Sequence, residues 1–227
     1  MLHPANIRRS NRKTLSLFID ADGELIVKAP LRLSNEIIFE FIKSKESWIK
    51  TQQAKVVQSN AINKAVLSYN SFMYLGRELS PYITTEVKKI TWQGDNLLIP
   101  SKIAEKGDDE VIKKVKLWLK KQAKEIIEER IVYFSRRLNL KHSSSKIMNN
   151  KTRWGTCSKG GEIALNWRAI MIEPKLLDYI VIHEFCHLLE FNHSRAFWAL
   201  VEAVLPNWRD LRKQLKQLNW IIALFRD

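Results

Sequence analysis

The segment YIVIHEFCHLLEFNHSRAFW, residues 179–198, carries three of the chain's five histidines inside an apolar and aromatic run. Such a run reads as a buried helix, and burying His183, Glu184 and His187 within five residues demands a partner for each titratable group. In an α-helix, residues four apart are separated by about 40° and one turn, so His183 and His187 present their imidazoles on one face. Glu184 lies about 100° round from His183, near enough to reach water beside an ion and too far round to share the ligand face. This is the HExxH division of labour: two neutral imidazoles hold Zn2+, and the carboxylate takes a proton from the water that the ion activates. Cys186, between the two histidines, reads as a small packing residue.

A catalytic zinc takes three protein ligands and keeps one position open. His193, six residues beyond His187, is the expected third ligand, with LLEFN as the segment that bends it back and Asn192 as the residue suited to a left-handed bend. Metzincins share the six-residue step, but they place a glycine where this chain has Glu190 and a methionine downstream of the site, and here the last methionine is Met171. Glu190 stays on the helix, rotated about 60° from His187, which is a poor approach to the ion. Glu202, on the following helix, is the stronger rival, and its contribution to the metal site stays open. His193 is preferred because imidazole is the commoner zinc partner and a short loop presents it directly.

The chain before the histidines divides by pattern. KTLSLFID and ELIVKAP alternate around an ADG turn and read as a hairpin, Ser34 can cap a helix over about 35–57, and KKITWQGDNLLIP reads as a second hairpin around Gly94-Asp95. Short strands are expected at SFMYLG and SPYITTEV. Proline, glycine and charged residues at 100–110 break the pattern, giving an expected β-rich α+β region over 1–100 and a catalytic domain over 101–227. The second part begins with a helix over about 109–138, then a strand at 162–168, then the metal helix opened by Pro174.

Charge bears on partners. The net charge of +14 invites a polyanion, and nucleic-acid contact through the basic surface is one expectation. However, Lys113, Lys114, Lys116, Lys120, Lys121 and Lys124 crowd the polar side of one helical pattern, which a solvated face explains equally well. Two cysteines are too few for a disulfide scaffold and fit a reducing compartment. No apolar run approaches the roughly 18 residues that span a bilayer, and the basic start has no apolar core behind it, so a cytoplasmic location without membrane partners is expected.

The combination of RWGTCSKGGEIALNWR, DYIVIHEFCHLLEFNHSRAFW and LPNWRDLRKQL resembles the YgjP-like zinc metallopeptidase family, related to SprT-like and gluzincin enzymes. NRKTLSLFIDADGELIVKAP and YLGRELSPY extend the resemblance over most of the chain. It implies His183, His187 and His193 as metal ligands and Glu184 as the catalytic carboxylate. It also implies a compact zincin-like fold in which the 162–168 strand is the edge of a small sheet beside the metal helix. Phe185 and Cys186 stand where the family often has smaller aliphatic residues, which touches only local packing.

An edge strand there would let an extended peptide pair with free backbone groups. Arg153, Trp154 and Asn166 are the expected substrate-binding residues, with Arg153 or Asn166 stabilising the developing oxyanion. Against this, Trp154 and Trp167 can equally fill the core, and Arg153 can pair with a carboxylate. The leading expectation is a zinc-dependent metalloendopeptidase acting on peptide or protein, with Glu184 as general base. The alternatives are a nucleotide or phosphoanhydride hydrolase on the same ion and a DNA-associated zinc protein with little catalysis. A structural zinc of the latter kind usually closes with four protein ligands, for which only Cys186 or Glu202 is at hand.

Overall fold

The computed structural model describes residues 6–20, 23–54, 56 and 71–225 of the 227 and is mixed α+β. The chain forms two compact units, Met1–Lys64 and Ala65–Asp227.

The first unit is a three-stranded sheet with helices. β2 (Ser16–Ile19) and β3 (Leu25–Pro30) form the expected antiparallel hairpin, with Phe18 opposite Ile26. Its ADG turn falls partly outside the described residues. Leu25, Val27 and Ala29 alternate inward from β3 and join Ile38, Ile42 and Ile49 in one core. β1 (Asn6–Ser10) pairs in parallel with β3, a strand that the polar sequence NIRRS does not announce. It is tied down by Arg9, whose guanidinium donates to the Pro30, Leu31 and Leu33 carbonyls and to Asn35 Oδ1. Ser34 caps α1 (Asn35–Ser44) as expected, accepting from the Ile37 N–H. The helix breaks at Lys45 and resumes as α2 over 46–54, where one continuous helix was expected.

The second unit opens with β4 (Phe72–Tyr74), β5 (Arg77–Thr84), β6 (Thr91–Gln93) and β7 (Asn96–Pro100), in the order β4-β5-β7-β6. β6 and β7 are the hairpin expected around Gly94-Asp95. The break at residue 100 is a sharp turn inside this unit: β7 runs straight into α3 (Ser101–Ala104) and α4 (Asp108–Leu138). The β4–β5 turn is also bound to the C-terminal part, because the Leu75 and Gly76 N–H groups donate to the Ile170 and Met171 carbonyls. Gly76 is required there, since a Cβ would fall 2.5 Å from Glu173 Cγ. The division between the compact units therefore falls between Lys64 and Ala65 along the chain, whereas the pattern in the sequence placed a boundary after residue 100.

α4 buries Val111, Val115, Leu119, Ala123, Ile127, Ile131 and Phe134, a stripe at helical spacing. β8 (Ser144–Met148), β9 (Gly155–Cys157) and β10 (Glu162–Asn166) form a sheet in the order β8-β10-β9. β10 is thus the central strand and stops at Asn166, with a short 3-10 helix following over Trp167–Met171. The edge beside α5 (Pro174–Cys186), the helix that carries His183 and Glu184, is β9, correcting the expectation that the 162–168 strand would be the edge. The physical reason is that β8 and β9 hydrogen-bond both sides of β10, whose Ile163 and Leu165 are buried in the core. α6 (Arg195–Val204) and α7 (Trp208–Gln217) complete the unit. No helix among the described residues is long and apolar enough to cross a membrane.

Candidate metal centre

α5 carries the first two histidines to its C-terminal end. Pro174 sits in the first turn, where its missing N–H is no loss, and the buried residues Leu176, Leu177, Ile180 and Val181 fix the helix against the core. Arg130 on α4 holds it from outside with two 2.7 Å bonds to the Asp178 carboxylate. The helix ends at Cys186, but His187 keeps helical dihedrals, φ −68° and ψ −16°, so the one-turn relation to His183 survives.

The chain then turns back to His193. Asn192 makes no left-handed bend: among the described non-glycine residues, Leu75, Asn139 and Phe225 have positive φ. Instead the Ser194 N–H donates to the Asn192 carbonyl at 2.7 Å, and the Ser194 hydroxyl accepts from the Phe197 N–H to start α6.

One nitrogen from each of His183, His187 and His193 lies within 4.8 Å of the others, a group able to hold a metal ion. His187 Nδ1 is 3.0 Å from the Glu190 carbonyl. A carbonyl can only accept, so Nδ1 carries the hydrogen and Nε2 keeps the free lone pair. Nε2 of His183 and Nε2 of His193 face each other at 3.0 Å, which calls for either a shared proton or a shared cation. Burial, reinforced by His187, His193 and Arg212, pushes the His183 imidazole down to about 3; burial, then His187 and Arg212, lowers that of His193. Both shifts favour the neutral ring, the form that binds a metal. The buried ring of Phe197 floors the group, its centroid 4.9, 4.4 and 4.7 Å from those of His183, His187 and His193. These donors fit a borderline-soft divalent ion such as zinc.

Glu184 is buried beside this group. Burial pushes its carboxyl up to about 8, and Arg153 acts in the opposite direction. Its position depends on Gly155 of the edge strand, where a Cβ would fall 2.5 Å from Glu184 Oε1 and 2.7 Å from Cγ. Sequence reasoning passed over Gly155, although a glycine inside the RWGTC segment is the kind of signal that marks a close approach. It also passed over Cys157, which lines the same cleft and whose thiol is pushed up to about 11 by burial and by nearby Glu184.

The cleft has a volume of about 360 Å³ and is lined by Arg153, the β9 residues and Phe191 together with Glu184 and the three histidines. Of the three expected substrate residues, only Arg153 lines it. Trp154 is buried, and its indole N–H donates to Asn219 Oδ1 at 2.9 Å. Asn166 is wholly buried and donates to the carbonyls of Asn150 and Arg153, so it holds the loop that presents Arg153. Glu202 is outside the histidine group and pairs with Arg209 at 2.6 Å, while Glu190 acts through its backbone carbonyl.

The chain matches the family described as "YgjP-like, metallopeptidase domain" over residues 13–218. No curated protein matches. Among solved structures the chain is similar to the metallopeptidase zymogen of Pyrococcus abyssi abylysin, at 26% identity and a TM-score of 0.37, covering 40% of this chain and 92% of that one.

Proposed function

From the chain's membership of the YgjP-like metallopeptidase family, we propose that it is a zinc-dependent metalloendopeptidase with His183, His187 and His193 as ligands and Glu184 as general base. The observation that carries this reading is the convergence of three imidazoles with a buried carboxylate in one cleft. When bound, zinc supplies a Lewis acid that polarises the scissile carbonyl and acidifies water.

The remaining work falls to the chain's own groups. Glu184 Oε1, pressed against the Gly155 backbone, accepts a proton from the attacking water and returns it to the leaving amine. Added positive charge beside Glu184 favours its carboxylate, offsetting the burial that favours the acid. β9 pairs only with β10 among the described strands, so its outer backbone groups are available to an extended peptide. Arg153 lines the same cleft and stabilises negative charge developing on the carbonyl oxygen. Trp154 and Asn166 serve by fixing the loop that carries it.

Arg153 is the one Lys or Arg lining the cleft among the described residues, which leaves little to neutralise a polyphosphate. On α4, Lys113 and Lys114 pair with Glu110, and Lys121 with Glu125. A peptide bond is therefore the substrate this site suits best. The test is zinc-loaded protein against an unstructured polypeptide and against nucleoside triphosphates. Cleavage of the polypeptide alone supports the reading, and turnover of triphosphates alone overturns it.

A further inference from the structure

His193 is held differently from the other two histidines. His183 and His187 project from α5 and are partly buried, whereas His193 is an exposed residue of the connecting loop, so neither helix backbone nor burial fixes its ring. What meets it is aromatic. The His193 ring stacks on Trp198 at 5.6 Å and 27°, and Trp198 stacks in turn on Trp208 of α7 at 4.2 Å and 13°. The Arg212 guanidinium lies 4.9 Å from the Trp198 ring, and that of Arg209 lies 4.7 Å from Trp208 while pairing with Glu202. A run of planar groups thus extends from the loop histidine to a helix that carries no ligand of its own.

We propose that Trp198 is the positioning residue for His193, holding the loop imidazole where it meets the two helix imidazoles; this rests on the reading of the three histidines as metal ligands. A loop ligand free to rotate must be ordered each time the ion binds, and a pre-stacked one is ordered in advance. The stack also favours the liganded state, because an imidazole that donates to a cation becomes more positive and an indole face attracts positive charge. Trp198 also comes within 5.9 Å of the His183 ring, but tilted at 55° and not stacked, whereas Phe197 touches all three rings and so does not distinguish His193 from the others.

The test is a double-mutant cycle read as zinc affinity, by chelator competition on the full chain, with wild type, W198L, H193A and W198L/H193A. Leucine keeps the position apolar and removes the stacking plane. W198L is expected to weaken zinc binding about tenfold or more, the loss typical of outer-shell partners of a metal ligand. H193A is expected to weaken it further, and the double variant to match H193A. Trp198 is then shown to act through His193. The proposal is overturned if W198L stays within twofold of wild type, or if it costs the same factor with and without His193, which is what a packing defect would give. Should W198L not fold, W198M, which also lacks a stacking plane, replaces it under the same criterion. An H193A variant with wild-type zinc affinity would instead overturn the ligand role of His193, and the proposal with it.

Discussion

α4 and α5 lie side by side, joined by the Arg130–Asp178 ion pair, and they distribute charge in opposite ways. α4 keeps a strictly apolar buried stripe and puts its lysines in solvent, where several pair with neighbouring glutamates. α5 buries Glu184 among apolar residues and ends on two histidines. The lysine run that draws the eye in the sequence belongs to the first kind of helix, where neighbouring acidic residues offset most of its charge and it costs the fold little. The second kind carries far fewer charges, and one of them, Glu184, is held at the expense of desolvation, which is where a function is expected.

The sharpest way to break this contrast is at Glu184. Glu184→Gln should lower peptidase activity by about 10²–10⁴-fold, the usual share of a positioned general base, while zinc affinity stays near wild type. Retained activity would remove the chemical difference between the two helices. Gly155→Ala probes the same group from the strand. The new Cβ would occupy the space of the Glu184 carboxyl, so activity should fall about 100-fold, the loss expected from a displacement near 1 Å, again with zinc retained. Full activity in that variant would mean that the carboxyl does not need the place it now has.

Much of the site could be read from the sequence because its information is local. His183, Glu184 and His187 are related by helix geometry alone, and His193 follows within a short loop. The β2–β3 and β6–β7 hairpins were legible for the same reason, through alternation and a turn. What escaped depends on distant partners. β9 has three residues and exists by pairing with β10, Gly155 matters through a carboxylate 29 positions away, and Trp154 is drawn from the cleft by Asn219, 65 positions on. β1 is polar and is held by Arg9 reaching the β3–α1 turn. A break in local pattern at residue 100 likewise says nothing of the hydrogen bonds from Leu75 and Gly76 that make the β4–β7 sheet part of the second unit.

The cost of burying Glu184 should itself be measurable in the metal-free protein. Its carboxyl is raised from 4.5 to about 8, so the folded state binds the proton more tightly than the unfolded state does. Stability from this group is present below pH 4.5 and is lost progressively as pH rises towards 8. In chelator-treated protein, Glu184→Gln should therefore be more stable than wild type by about 3 kcal/mol at pH 7 and closely similar at pH 4, read by urea unfolding. Equal stability at both pH values would show that the site tolerates the charge and would erase the distinction between the helices. Arg130→Ala, at the joint between them, should cost about 1–2 kcal/mol, because it leaves the half-buried Asp178 without its bidentate partner.

The smallest expected effect is on α4. Replacing Lys113, Lys114 and Lys121 with Gln removes three positive charges and their exposed pairs with Glu110 and Glu125. Pairs of this spacing contribute about 0.3–0.5 kcal/mol each, and of the glutamates left behind Glu125 stays exposed and Glu110 keeps a quarter of its side chain in solvent, so the midpoint of urea unfolding should move only slightly. None of the three lines the cleft, so kcat/KM for a neutral peptide should stay within about twofold of wild type. A peptide bearing acidic residues far from its scissile bond gives the stricter measurement. If its kcat/KM falls by more than tenfold in the triple variant, and does so less at high salt, the lysines steer substrate across the surface. Charge on α4 would then belong to function as well as to solvation, and the two helices would differ in range of action only.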